Sequence, residues 1–148
     1  MARNFTVSTQ INKPIAEVFK AVVSSKEMSN YFTDKCSQDY KEGETSIFWW
    51  ENYGDHPVYV KTVKENTLIE FTINSQEWQK TNEVPDYEVT VTMKFEALNE
   101  NSTMFSISED GWQEDAESIR GSYDNCGGWQ HMIMCLKAYL EYGINLRK

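Results

Sequence analysis

The sequence predicts an α+β fold in which a curved antiparallel sheet wraps around one long C-terminal helix. Three observations indicate this. Between residues 45 and 108, apolar and polar side chains alternate almost throughout, which is the period of strands with one buried face. Short turns separate these strands, so neighbouring strands must be antiparallel. From about Ser118 to Tyr142 the apolar spacing becomes helical, and such a helix is about 35 Å long, enough to cross several strands.

The chain begins with a predicted strand and two predicted short helices. Residues Phe5 to Ile11 alternate, and Pro14 then opens a helix, because proline is well tolerated at the first helical position. The apolar face of this helix consists of Ile15, Val18, Phe19 and Val22. Ser24 and Glu27 have capping-box spacing, which predicts a brief second helix that ends at residues 33 and 34.

An antiparallel meander is predicted next, with strands at Thr45–Glu51, Val58–Val63, Leu68–Asn74, Tyr87–Phe95 and Thr103–Ser108. The connection from Ser75 to Asp86 is longer and lacks clear periodicity, so we predict a loop. Trp78 on this loop either packs in the core or covers an opening. Gly143 is predicted to end the final helix.

Composition limits the classes of function. The 148 residues, 40 % of them hydrophobic, predict a single domain across residues 1–148 with a sizeable core. We expect a cytoplasmic protein, because no apolar run could span a membrane and the start is unlike a signal peptide. The net charge of -9, with no basic cluster, disfavours nucleic acid as a partner. Three cysteines without a CxxC pair favour reduced thiols.

The order of these elements resembles the START-like superfamily (SRPBCC, Bet v-like) with its helix-grip fold. Within it, the chain resembles the family of the activator of heat shock protein 90 ATPase, C-terminal domain. The resemblance covers nearly the whole chain and is carried by Asn12-Lys13-Pro14, Val18-Phe19-Lys20-Ala21, Tyr40-Lys41-Glu42-Gly43, Ile47-Phe48-Trp49, Leu68-Ile69-Glu70-Phe71-Thr72, Thr103 to Ser108, Gly128-Trp129 and Leu136-Lys137-Ala138-Tyr139-Leu140-Glu141. It implies a cavity between the sheet and the C-terminal helix, where many relatives bind hydrophobic small molecules or lipids. Other relatives are the co-chaperone domains for which the family is named, and the resemblance is not expected to extend to the extra N-terminal module of the eukaryotic co-chaperones.

Strand parity and helical spacing select candidate residues for such a cavity, although the same residues are equally expected in a filled core. The candidates are Trp49, Tyr87, Val89, Val91, Met93, Phe105, Ile107, Glu109, Tyr123, Cys126, Trp129, Gln130 and Ile133. Of these, the polar tips of Tyr123, Gln130 and Glu109 are expected to orient a ligand. Trp78 is a further candidate.

Adjacent strand residues point to opposite faces, so Trp49 and Trp50 cannot both lie in one core. Whichever of the two lies outside the core either packs under a helix, stays at the surface or lies in a homodimer interface on the outer face of the sheet.

Several residues have patterns that suit chemistry. Glu109 and Glu51 share strand parity with apolar residues, so each either points inward, with a raised pKa suited to acid or base catalysis, or extends into solvent. Arg120 is a candidate partner of Glu109. His131 and Cys135 are four residues apart on one helix face, but two ligands are too few for a metal site. No phosphate loop or dinucleotide fingerprint is present, so neither metal nor cofactor is predicted.

Three functions remain open at this stage. The first is noncatalytic binding of a small hydrophobic or aromatic molecule, or of a lipid, between the sheet and the final helix. The second is a chaperone-associated interaction module. The third is an enzyme that acts on a bound aromatic or acyl compound with Glu109 or His131 as its base.

Overall fold

A computed structural model describes residues 4–148, in which seven strands form one antiparallel sheet and four helices pack against it. The strands are β1 (Phe5–Ile11), β2 (Lys35–Cys36), β3 (Thr45–Trp50), β4 (Gly54–Lys64), β5 (Leu68–Asn74), β6 (Glu88–Asn99) and β7 (Ser102–Asp110). The helices are α1 (Ile15–Val23), α2 (Ser25–Met28), α3 (Ser75–Gln79) and α4 (Ala116–Tyr142). The predicted α+β helix-grip fold is confirmed.

The sheet has the order β1-β7-β6-β5-β4-β3-β2, so the first strand lies at one edge. There it pairs with β7, with Phe5 opposite Glu109 and Ile11 opposite Thr103. Because β2 lies at the other edge, α1 and α2 connect the two edges of the sheet. The remaining strands form the predicted meander.

Local chemistry determines where the helices begin and end. The Ser24 hydroxyl accepts a hydrogen bond from the Glu27 backbone N–H at 3.3 Å, which caps α2 as its spacing predicts. Asp115 caps α4 by accepting from the Ser118 backbone N–H at 3.0 Å. The helix ends at Gly143, whose φ of 66° is readily adopted only by glycine.

Several elements differ from the predicted ones. Strand β2 was not predicted, and α2 ends at Met28, before the predicted end at residues 33 and 34. The segment predicted as a loop contains α3, because the Asn74 side chain accepts from the backbone N–H groups of Gln76 and Glu77 at 2.9 and 3.0 Å. A helix of five residues is too short to show periodicity. Strand β4 begins at Gly54 and not at Val58, because Gly54 pairs with Trp50 directly after the turn.

The core lies between the inner face of the sheet and α4, and it is filled. Its central side chains are fully buried and belong to Val89, Val91, Met93, Phe105, Ile107, Ile133 and Leu136. These residues were expected to face one another across the sheet and the helix, and they do. They pack against one another without leaving room for a ligand at the centre of this interface.

Candidate functional site

An open groove of about 840 Å³ lies at one end of the sheet, beyond the filled core. Its walls come from the adjoining ends of β3 and β4, from α3, from the middle of α4 and from the segment after α2. The lining residues are Tyr31, Phe32, Trp50, Asn52, Tyr53, His56, Trp78, Gln79, Lys80, Asp124, Asn125, Gly128, Trp129, His131, Met132 and Arg147. The volume is within the range of pockets that hold small organic molecules.

Aromatic rings form much of this wall. Five of them contact one another in a closed series, with centroid distances between 5.1 and 5.9 Å, and we call these the aromatic cluster: Phe32, Trp50, His56, Trp78 and Trp129. The fully buried ring of Phe48 packs against this cluster, 5.2 Å from Phe32 and 6.2 Å from Trp78. Rings that support one another in this way present a preformed apolar surface.

Hydrogen bonds fix two of the indoles. The Nε1–H of Trp50 donates to the Phe32 carbonyl oxygen at 2.7 Å, and that of Trp78 donates to the Pro57 carbonyl oxygen at 2.9 Å. Because each polar N–H already has a partner, the rest of each ring is free to contact an apolar ligand.

Trp49 requires a correction. It was a cavity candidate, but Trp50 lines the groove, and Trp49, which follows the buried Phe48, points to the other face of β3. There its ring lies under the ammonium group of Lys35, with 5.0 Å between Nζ and the ring centroid. Glu51, the other inward candidate on this strand, is exposed.

Glu109 is fully buried at the end of β7, so the inward alternative is the correct one. Its carboxylate accepts hydrogen bonds from the indole N–H groups of Trp112 and Trp129 at 2.7 and 2.5 Å. The Asn125 amide nitrogen donates to both carboxylate oxygens at 3.2 and 3.1 Å. The pKa of Glu109 is raised from 4.5 to about 7. Burial raises it, and the hydrogen bonds from Trp129, Trp112 and Asn125 offset part of that rise.

Arg120 does not pair with Glu109. Its side chain is exposed on α4, whereas the carboxylate is sealed by neutral donors. Among the interactions of residues 4–148, no salt bridge to Glu109 is found.

Glu109 lies one side chain behind the groove wall. Asn125 and Trp129, which bind it, both line the groove. The Asn125 carbonyl oxygen also accepts from the Gln79 amide nitrogen at 3.4 Å, and Gln79 lines the groove as well. A chain of side-chain hydrogen bonds therefore connects the buried carboxylate with α3.

Charges of both signs surround the opening. The Lys80 ammonium donates to the Asp55 carbonyl oxygen, and Arg147 forms an ion pair with Asp34 at 3.4 Å. Asp124 is exposed on the α4 side. His56 forms part of the wall, and its burial lowers its pKa, so the ring is neutral at pH 7.

Of the other sequence candidates, Trp129 and Trp78 line the groove. Tyr87 is half-buried, and its hydroxyl lies 2.5 Å from the Ser118 hydroxyl at the start of α4. Cys126 is half-buried, while Tyr123 and Gln130 are exposed. That these residues or the buried core residues contact a ligand stays a prediction.

His131 and Cys135 do meet on α4, with 3.5 Å between Nε2 and Sγ. His131 lines the groove, whereas Cys135 is buried and its pKa is raised by burial, so the thiol is protonated. Within residues 4–148, no three side chains of the metal-binding types converge.

Sequence comparison supports the resemblance. The profile of the family described as "Activator of Hsp90 ATPase homolog 1-like protein" matches residues 12–141. A search of curated proteins finds no match. In the described part of the chain, no helix is long and apolar enough to cross a membrane.

Solved structures share the fold over nearly the full chain. Protein SSP2350 from Staphylococcus saprophyticus is 24 % identical with a TM-score of 0.76, covering 97 % of this chain and 96 % of its own. MLL2253 from Mesorhizobium loti is 17 % identical with a TM-score of 0.78, covering 93 % and 96 %. The Aha1 dimer from Colwellia psychrerythraea, solved in solution, is 17 % identical with a TM-score of 0.76, covering 97 % and 98 %.

Proposed function

We propose that this chain, which belongs to the family of Activator of Hsp90 ATPase homolog 1-like proteins, binds a small hydrophobic molecule in the groove. The observation that carries the proposal is the aromatic cluster, which lines an open volume next to a core that is otherwise filled. Exposed apolar surface of this kind has a cost in water that a ligand removes.

The aromatic rings of the groove wall favour binding of an aromatic ligand over binding of a simple acyl chain. Stacked or edge-to-face aromatic contacts contribute about 0.5–1.5 kcal/mol each beyond the burial of their area. Burial itself contributes about 2.5 kcal/mol per 100 Å² of apolar ligand surface, before the costs of association. The rings of Trp50, Trp78 and Trp129 supply such contacts from three different elements.

The geometry gives less support to an enzyme. Glu109 has the raised pKa of a general base, but Trp129 and Asn125 separate its carboxylate from the groove. Of the two bases considered, His131 alone lines the groove, and its side chain contacts the protonated Cys135 thiol.

Native mass spectrometry of protein purified from its own host tests the binding proposal. We expect an extra mass in stoichiometric amount that is lost on denaturation. Trp78→Ala should abolish it, whereas the matched control Trp49→Ala, on the outer face of β3, should retain it. A wild-type protein that carries no extra mass and does not retain added 2-naphthol would contradict the proposal.

A chaperone-associated function is the second candidate, and the family match favours it. We propose that the exposed apolar residues at the end of α4 and directly after it, Tyr142, Ile144 and Leu146, contact such a partner. Addition of the protein to a purified Hsp90-type ATPase should then raise its rate. An unchanged rate would contradict this candidate.

A further inference from the structure

The hydrogen bonds around Glu109 have a fixed direction. The indoles of Trp112 and Trp129 can only donate, because an indole nitrogen has no acceptor capacity. Asn125 is the one partner in the described surroundings of Glu109 whose side chain offers both a donor and an acceptor. An ionised carboxylate suits three donors, as observed.

When Glu109 is ionised, it fixes the orientation of the Asn125 amide, which in turn fixes the orientation of the Gln79 amide. Asn125 turns its NH₂ toward the carboxylate, so its carbonyl oxygen faces Gln79. Gln79 must then donate to Asn125, and the Gln79 carbonyl oxygen accepts no hydrogen bond from the described residues. Since Gln79 lines the groove, the wall offers an acceptor to a ligand at this position.

Protonation of Glu109 reverses each step. The carboxylic O–H needs an acceptor, and only Asn125 can provide one, by rotating its amide through 180°. The Asn125 NH₂ then faces Gln79, whose amide must rotate as well so that its carbonyl oxygen accepts. Gln79 now has its NH₂ free, and the wall offers a donor.

We propose that the proton on Glu109 selects the ligand through this Asn125–Gln79 amide pair. When Glu109 is ionised, the groove binds an apolar ligand that bears a hydroxyl or N–H group beside Gln79. When Glu109 is protonated, the groove binds an apolar ligand that bears a carbonyl or ether oxygen there. This inference rests on the proposed function of the groove and specifies which chemical class the groove holds at a given pH.

We assign the pH dependence of the ligand preference to the proton on Glu109 itself. Its pKa of about 7 places the change within the physiological range, and burial is the main cause. Among the charged groups on the adjoining elements, Glu88 on β6, Asp110 on β7, Arg120 and Asp124 on α4, and Lys80 after α3 are exposed, whereas Glu117 in the first turn of α4 is half-buried. Strand β1 carries no charged side chain. His56 and His131 also lie at the groove, so the test requires a variant at Glu109 itself.

Two matched probes test the inference, 2-naphthol as the donor and 2-methoxynaphthalene as the acceptor. Their dissociation constants are measured by tryptophan fluorescence at about pH 6 and about pH 8.5. We expect the preference for naphthol over the ether to rise about tenfold from the lower to the higher pH, since an unmatched buried polar group costs about that factor.

Three variants identify the residues responsible. Glu109→Gln, which cannot ionise, should abolish the pH dependence of the preference. Gln79→Leu should abolish the preference itself. Asp110→Asn, which removes an exposed carboxylate beside Glu109 in the chain but outside the groove lining, should leave both intact.

The outcomes separate the two proposals. If both probes bind with a preference that does not change with pH, the inference is overturned while ligand binding stands. If neither probe binds, both fail. Should Glu109→Gln not fold, NMR of the wild-type protein decides. The side-chain NH₂ signals of Asn125 and Gln79 should move with a midpoint near pH 7, and signals that do not move overturn the inference.

Discussion

The indole nitrogen of Trp129 donates a hydrogen bond of 2.5 Å to the buried carboxylate of Glu109, and the ring of the same residue lines the groove. One side chain therefore connects a buried carboxyl group, whose pKa is raised by burial, with the surface proposed to hold a ligand. Several measurable consequences arise from this arrangement and from the residues around it.

Stability should depend on pH through Glu109. Its folded pKa of about 7 lies above the ordinary value of 4.5, so the folded state binds the proton more tightly than the unfolded state. The contribution of Glu109 to stability is therefore greatest below about pH 4.5 and falls as pH rises to about 7, by about 3 kcal/mol for a shift of this size. The difference in free energy of unfolding between wild type and Glu109→Gln isolates this contribution. Urea denaturation that shows a constant difference across this range would contradict it.

Trp129→Phe should destabilise the protein more at high pH than at low pH. Phenylalanine keeps most of the ring but removes the N–H that binds Glu109, and the loss is greater when the carboxylate is charged. We expect a loss of about 2 kcal/mol at pH 8 and about 1 kcal/mol at pH 5 in chemical denaturation. Equal losses at both pH values would mean that the bond does not distinguish the charged form.

Trp50→Ala and Trp49→Ala should have different costs, although the residues are adjacent. Trp50 contacts the rings of Phe32, Phe48 and His56 and donates to a backbone carbonyl. We expect its removal to cost about 3 kcal/mol, and that of Trp49 about 1 kcal/mol, by thermal or urea unfolding. The reverse order would contradict the assignment of the two faces.

Asn74→Ala should weaken ligand binding from a distance. Asn74 lines no part of the groove, but its side chain caps α3, the helix that carries Trp78 and Gln79. Loss of the cap should cost about 1 kcal/mol of stability and increase the dissociation constant of 2-naphthol several-fold, as measured by fluorescence. Asn74→Ser offers a capping hydroxyl oxygen without placing a second carboxylate beside Asp86, and it should recover part of both.

Two glycines of α4 should respond to alanine in opposite directions. A Cβ at Gly121 would lie 2.9 Å from the Trp112 ring, so Gly121→Ala should cost about 1–3 kcal/mol. A Cβ at Gly127 meets nothing within 4 Å, so Gly127→Ala should gain about 1 kcal/mol through helix propensity. Calorimetric melting temperatures test both, and a stabilised Gly121→Ala variant would contradict the packing of Trp112 against this helix.

The period of each segment was sufficient to predict the sheet and the long helix, whereas it left open whether the space between them is filled. Alternation from Tyr87 to Ile107 placed the buried side chains on the correct face, because only one register puts all of them away from water. Glu109 followed the same parity, so its inward direction was among the alternatives that the sequence left open.

Other features of the site were not visible in the pattern. Ile47, Phe48, Trp49 and Trp50 are consecutive apolar residues, so alternation cannot indicate which pair faces inward. Asn125 and Gln79 read as solvent-facing polar residues, because their roles depend on contacts with Glu109 and with each other across the fold. Asn74 before a polar segment was the one local signal that could have indicated α3.

The most direct test of the groove is a two-dimensional NMR spectrum of the indole N–H groups, since the chain has five tryptophans and each gives one signal. On titration with 2-naphthol, we expect the signals of Trp50, Trp78 and Trp129 to shift along one saturable curve while that of Trp49 stays in place. If the three groove signals do not move, or if Trp49 moves instead of them, the groove is not the binding site.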